Sequence, residues 1–198
     1  MNKVSAWVKT LGFSVTASIL LTGCAGIRAS QYANSRPEFN VREFFDGPLY
    51  AAGMAQNSKG KVERRFEIHM VGQSGRDTVT VREHFVDFDG APVKPHEFTL
   101  QLVDSHRLLA TGYSPVGDID GVARGEAYGY AVHLTYNAIV TTNGNKKKVH
   151  VDDWMYMIRP DIVFDQSKVS GLGSSIASVT YLIKKFPPTP QNFKAMSQ

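Results

Sequence analysis

The sequence predicts an all-β fold, an antiparallel meander of roughly eight to ten strands closed into a barrel. Three observations predict it. The chain is rich in β-branched and aromatic residues, Gly, Asp-Gly and Asn-Gly break it at short intervals, and helical periodicity is nearly absent.

The strands can be read in order. The segment from Gly47 to Gln56 is the first. Phe66, Ile68 and Met70 form a period-2 apolar row with Val62, set against Glu63, Arg65, Glu67 and His69. Thr78 to Phe88 is a further strand, ending at an Asp89-Gly90 turn. His96, Phe98, Leu100 and Leu102 alternate with Glu97, Thr99 and Gln101, and Asp104-Ser105-His106 turns the chain into Arg107 to Tyr113 as a hairpin. Ala127 to Thr142, Asn143-Gly144 and Lys146 to Ile158 give the clearest hairpin, because Asn-Gly suits a type I′ turn whose twist matches that of the strands. Two closing strands follow near Asp161 to Phe164 and Ser174 to Phe186. Phe39 to Phe45 allows one helical turn, and Phe39, Phe44 and Phe45 could plug one end of the barrel, as the N-terminal turn of a lipocalin does. Glycines recur at 117, 121, 125 and 129; Arg124 and Glu126 between them exclude a lipid-buried helix, so they mark bends or close backbone approach in strands.

The N-terminus has a different character. Lys3 and Lys9 precede an apolar run from about Leu11 to Leu21, with no acid among the first 23 residues, which is secretory-signal architecture too short to span a bilayer. Leu21-Thr22-Gly23-Cys24 closes it. A thiol at the new N-terminus behind a small residue is what diacylglycerol transfer requires, so Cys24 is the expected lipidation site, bearing palmitate-like acyl chains. Several chains together hold a protein to a membrane effectively permanently. Ala25 follows, where aspartate would signal retention at the inner membrane of a Gram-negative cell. The expected location is therefore the outer membrane, facing the periplasm.

The expected organisation is a signal peptide over 1–23, a lipidated N-terminus and flexible tether over 24–36, a barrel domain over 37–186 and a loose tail over 187–198. Net charge is +4 for the whole chain. Cleavage removes two lysines and leaves the mature chain nearly neutral, without the basic stripe that nucleic-acid binding needs. Cys24 is the only cysteine, so no intrachain disulfide and no cysteine metal site can form. The six histidines form no His-x-His or His-x-x-x-His pair, and Gly171-Leu172-Gly173-Ser174-Ser175 lacks the Lys-Ser/Thr of a phosphate cradle. Neither a metal nor a cofactor is expected. Lys146 to Lys148 reads as a solvated tip or as a contact for acidic lipid head groups.

Two acids interrupt apolar rows. Glu83 shares parity with Val79, Val81 and Phe85, and Asp153 with Val149, Val151, Met155 and Met157. Each needs a partner or a proton if it is buried. One reading pairs them with Arg82, Arg124, Lys168 or backbone amides as a structural network. The other makes them polar fixers in an apolar pocket, with Phe85 and Tyr136 among its lining. On the second strand the register stays open, because Trp154, Tyr156 and Ile158 compete for the inward face and would bring Asp152 and His150 with them. The candidate ligand-binding residues are therefore Glu83, Phe85, Tyr136, Asp152, Asp153, Trp154 and Tyr156. Catalysis would need Glu83, Asp152 or Asp153 to act with His84 or His150, yet His84 points away from Glu83 and no nucleophile motif is present; no catalytic residue is assigned.

Several pieces together resemble one bacterial lipoprotein family, domain of unknown function 3833: Glu43-Phe44-Phe45-Asp46-Gly47, Arg65-Phe66, Arg82-Glu83-His84-Phe85, Asp89-Gly90, Ala123-Arg124-Gly125-Glu126-Ala127-Tyr128-Gly129 and Val151-Asp152-Asp153-Trp154-Met155-Tyr156. The resemblance runs from about Pro37 to Phe186. It implies a lipid-anchored envelope protein with a lipocalin-like (calycin-like) barrel and a lipid-related role, and it implies no catalytic residues. Ser114 stands where the family commonly has an acid, Ser174 and Ser175 soften the last strand, and Pro48-Leu49 after Gly47 removes the tryptophan of the lipocalin Gly-x-Trp signature. The expected function is binding of a small apolar or amphipathic, lipid-like molecule, plausibly a fatty acyl chain. The alternatives are a structural module that meets an envelope protein through its loops, or an enzyme acting on envelope lipids. Cys24→Ala should leave the precursor unprocessed, seen as a larger band on electrophoresis, and without label in cells fed radiolabelled palmitate.

Overall fold

In a computed structural model, which describes residues 26–88, 95–142 and 144–197, the chain forms eleven strands. The first five are β1 (Gly47–Asn57), β2 (Val62–Ser74), β3 (Thr78–Asp87), β4 (His96–Leu102) and β5 (Arg107–Ser114). They are followed by β6 (Gly117–Ile119), β7 (Ala123–Tyr128), β8 (Ala131–Thr142), β9 (Asn145–Arg159), β10 (Ile162–Gly171) and β11 (Ser174–Lys185). Two short helices, α1 (Val41–Phe45) and α2 (Pro190–Met196), flank them, and a 3-10 turn spans Ala29–Tyr32. All strand pairs are antiparallel. Pairing of β1 with β11 and of β4 with β5 closes the sheet, while β6 and β7 share one place between β5 and β8. The result is a closed antiparallel barrel with ten strand positions, within the eight to ten that the sequence pattern predicts, and it has the calycin-like form that the family resemblance implies.

The His96–Leu102/Arg107–Ser114 and Ala131–Thr142/Asn145–Arg159 hairpins form where expected. The stretch from Ala127 differs, because the chain already turns at Gly129-Tyr130 and β7 and β8 pair as a separate hairpin. Gly129 has φ +53°, and a side chain there would put its Cβ 1.9 Å from the Tyr32 carbonyl oxygen. The strand read near Asp161 to Phe164 runs on to Gly171. The Asp89-Gly90 turn, Asn143 of the Asn-Gly turn, and the signal segment with Cys24 lie outside the described residues.

Alternation decides the core. The inward rows include Phe66, Ile68 and Met70 of β2, Val79, Val81 and Phe85 of β3, and Val149, Val151, Met155 and Met157 of β9, all buried. One end of the barrel is plugged by α1, as its aromatics suggest. Asn40 caps it by accepting from the Glu43 amide at 3.2 Å, and Phe39, Phe44 and Phe45 are buried with ring centroids 5.2 to 6.3 Å apart. Lys185, at the end of β11, donates to the carbonyls of Glu43 at 2.7 Å and Phe44 at 2.9 Å and to that of Asp46, tying the plug to the wall.

Two segments expected to be loose carry structure. Within the expected tether, Ala29 is buried and the Tyr32 ring packs on Tyr130, Trp154 and Tyr156 with centroids 5.1 to 6.2 Å away. The Ser35 hydroxyl accepts from the Tyr130 amide at 3.2 Å. In the tail, Thr189 caps α2 and Pro190 occupies its first turn, a start signal that outweighs the polar composition. Among the described residues no helix is long and apolar enough to cross a membrane. Phe44→Ala should lower stability by about 3–5 kcal/mol in chemical denaturation, since it leaves a void among the plug aromatics.

Candidate functional site

The barrel encloses a cavity of about 50 Å³ between the α1 plug and the far end. Its apolar lining includes Phe45, Met70, Phe98, Leu100, Leu134 and Met155. That volume holds a few waters or a small head group. Set into the wall are three carboxyl groups, Glu83, Asp153 and Asp165, and the tyrosines Tyr113, Tyr136 and Tyr181; among the described residues no Lys, Arg or His lines the cavity.

Register puts them there. Glu83 is the inward residue between Val81 and Phe85 and is only 4% exposed. Asp153 sits between Val151 and Met155 on β9, and Asp165 between Val163 and Ser167 on β10, fully buried. Ser167 is the cross-strand partner of Asp153 and donates to its Oδ1 at 2.6 Å; Tyr181 is the cross-strand partner of Asp165. β3 lies five strand positions from β9 in either direction round the ring, so Glu83 faces Asp153 and Asp165 from the opposite wall.

These acids are incompletely satisfied. Glu83 Oε2 has no hydrogen-bond partner among the described residues. Asp165 has Tyr181, Ser167 and Asp153 as polar neighbours, yet neither of its oxygens meets one in a well-formed hydrogen bond. Burial therefore governs their protonation. Loss of hydration pushes Glu83 from its ordinary 4.5 up to about 8. Desolvation also raises Asp153, partly offset by the Ser167 hydrogen bond, and raises Asp165 further, with the Asp153 charge acting in the same direction. Tyr136 and Tyr181 are likewise held in their neutral form by burial and by the neighbouring acids.

Of the residues singled out from sequence, Glu83, Tyr136 and Asp153 converge on the cavity. Phe85 is buried in an aromatic layer beside it, 5.7 Å from Tyr113 and 6.2 Å from Phe66 between centroids. Asp152, Trp154 and Tyr156 do not join them, because the register turns that row outward. Asp152 instead hydrogen-bonds His133 Nε2 at 2.6 Å, and the His133 ring stacks on Trp154 at 4.1 Å. The proposed arginine partners are also elsewhere, with Arg82 paired to Glu97 on the surface. His84 stands opposite His69 on the outer face and His150 is exposed, so neither meets Glu83 or Asp153. Sequence reasoning missed Asp165 and Tyr181. Extending the last hairpin back from Ser174 would have placed both on inward rows. Among the described residues no three His, Cys, Asp or Glu side chains gather as a metal site.

A closed barrel with acids facing one another across an apolar cavity is the class these features define. The chain belongs to the family described as protein of unknown function, DUF3833, whose model matches residues 18–185. Two solved structures are similar in fold. The S-type phycobiliprotein lyase CPES from Guillardia theta aligns with a TM-score of 0.55 at 11% identity, over 78% of this chain and 96% of that one. Rv2717c from M. tuberculosis aligns with a TM-score of 0.53 at 14% identity, over 78% of this chain and all of that one. No curated protein sequence matches the chain.

The folded protein keeps the Glu83 proton up to about pH 8, whereas the unfolded chain releases it near 4.5. Between those values the native state binds more protons, so this group's contribution to stability is lost as pH rises, by up to about 1.4 kcal/mol per pH unit. The difference in melting temperature between Glu83→Gln and wild type should accordingly grow in favour of the variant from pH 5 to pH 8.

Proposed function

We propose that the barrel binds a small amphipathic molecule, its polar end at the buried carboxyls and its apolar part against the cavity wall. The observation that carries this reading is an apolar interior in which Glu83 and Asp165 keep oxygens that no group among the described residues satisfies. A core built for stability alone would replace such groups with hydrocarbon, because each unsatisfied buried polar atom costs about 1–3 kcal/mol. Binding would rest mainly on apolar contact, with one or two polar groups fixing orientation. Met70 and Met155 line the cavity, and their unbranched side chains can rotate to admit a ligand larger than the resting volume.

The setting belongs to the same proposal. The basic N-terminus, the apolar run and Leu21-Thr22-Gly23-Cys24 support a lipid-anchored protein of the Gram-negative outer membrane facing the periplasm, where membrane-derived amphiphiles are abundant.

Organic extracts of the protein purified from cells should yield a defined small molecule by mass spectrometry. Ala110→Leu, which fills part of the cavity, should reduce its recovery at least fivefold. An empty extract, together with no response to fluorescent amphiphiles, would favour the alternative in which the side chains fill the barrel and its loops meet a protein partner.

A further inference from the structure

Resting on the reading that the cavity binds an amphipathic molecule, we infer that it selects a ligand whose polar end is a protonated amine over one ending in a carboxylate. Charge and burial at the site carry this inference. Three carboxyl groups line the cavity, from β3, β9 and β10, and among the described residues no cationic side chain does. Glu83 and Asp165 are more than nine-tenths buried and have oxygens without partners. A fatty-acid carboxylate would add a fourth acid to a space with no counter-charge, and two carboxyl groups sharing a desolvated site can coexist only with a proton held between them. An ammonium has no acceptor sites and three N–H donors, matching what Glu83 Oε2 and the Asp165 oxygens lack.

Among the described residues, the titratable groups that face the cavity are Glu83 from β3, Asp153 from β9, Asp165 from β10, Tyr113 from β5, Tyr136 from β8 and Tyr181 from β11; the other lining residues do not ionise. The tyrosines stay neutral, so protonation of the acids alone links binding to pH. Burial keeps Glu83 protonated at neutral pH without ligand. When an ammonium enters, the carboxyl O–H bond breaks, the proton leaves to solvent and the carboxylate keeps the electron pair as counter-ion to the charged head. Affinity for the amine should thus rise with pH up to about 8.

The test titrates the full mature protein, in one non-ionic detergent, with n-butylammonium, n-butanol and n-butanoate, followed by amide chemical shifts. The expected result is n-butylammonium binding at least tenfold tighter than n-butanol at pH 7.5, with n-butanoate weakest. The amine affinity should increase by up to tenfold per pH unit between pH 6 and pH 8, while that of n-butanol stays flat. Glu83→Gln and Asp165→Asn, each checked for folding by circular dichroism, should each cut the preference for the amine over n-butanol at least threefold and flatten its dependence on pH. Binding of n-butanol or n-butanoate at least as tight as that of the amine, or an amine affinity independent of pH, would overturn the inference and leave the amphiphile reading standing. Failure of all three to bind would overturn both.

Discussion

Closure of the sheet is the constraint on which the rest of this structure depends. With β4 joined to β5 and β1 to β11, the strands form a continuous ring, and every second residue has only the interior to occupy. An acid of the wrong parity is solvated on the outer wall, and an acid of the right parity is desolvated. Glu83 and its neighbour Arg82 differ by one residue and meet opposite environments, the first buried and the second exposed beside Glu97.

The plug completes the enclosure. α1 brings Phe39, Phe44 and Phe45 over one end, and Phe45 reaches down to line the cavity. The last carbonyls of this short helix are held by Lys185, so the final strand fixes the element that precedes the first. The segment before the plug crosses the outer wall and lays Tyr32 on the Tyr130, Trp154 and Tyr156 rings. Chain between the expected anchor and the barrel is thereby partly spent on packing.

Much of the fold was legible because a two-residue period survives wherever one face is apolar and the other polar. β2 and β3 show it cleanly, and parity alone put Glu83 inside. β9 defeated the same reasoning for a physical reason: both of its faces are apolar, the inner because it lines the core and the outer because Tyr32 covers Trp154 and Tyr156. Parity could not choose between Asp152 and Asp153 there. β10 failed differently. Its inward row contains Asp165 and Ser167, so the hydrophobic period ends at Phe164, just before the strand's most buried acid. Pairings across strands, such as His133 with Asp152 or Asp165 with Tyr181, depend on register between distant segments, which no local pattern carries.

The defining condition of the site is that its carboxyl groups are held in an apolar interior away from water. Carboxyl-carbon NMR titration of the mature protein labelled at glutamate and aspartate observes that condition directly. One glutamate resonance, lost in Glu83→Gln, should move with a midpoint near pH 8, and two aspartate resonances should titrate above the ordinary carboxylate range, that of Asp165 well above it. If the Glu83 resonance instead titrated near pH 4.5, the carboxyl would be solvated, and the buried site described here would not exist.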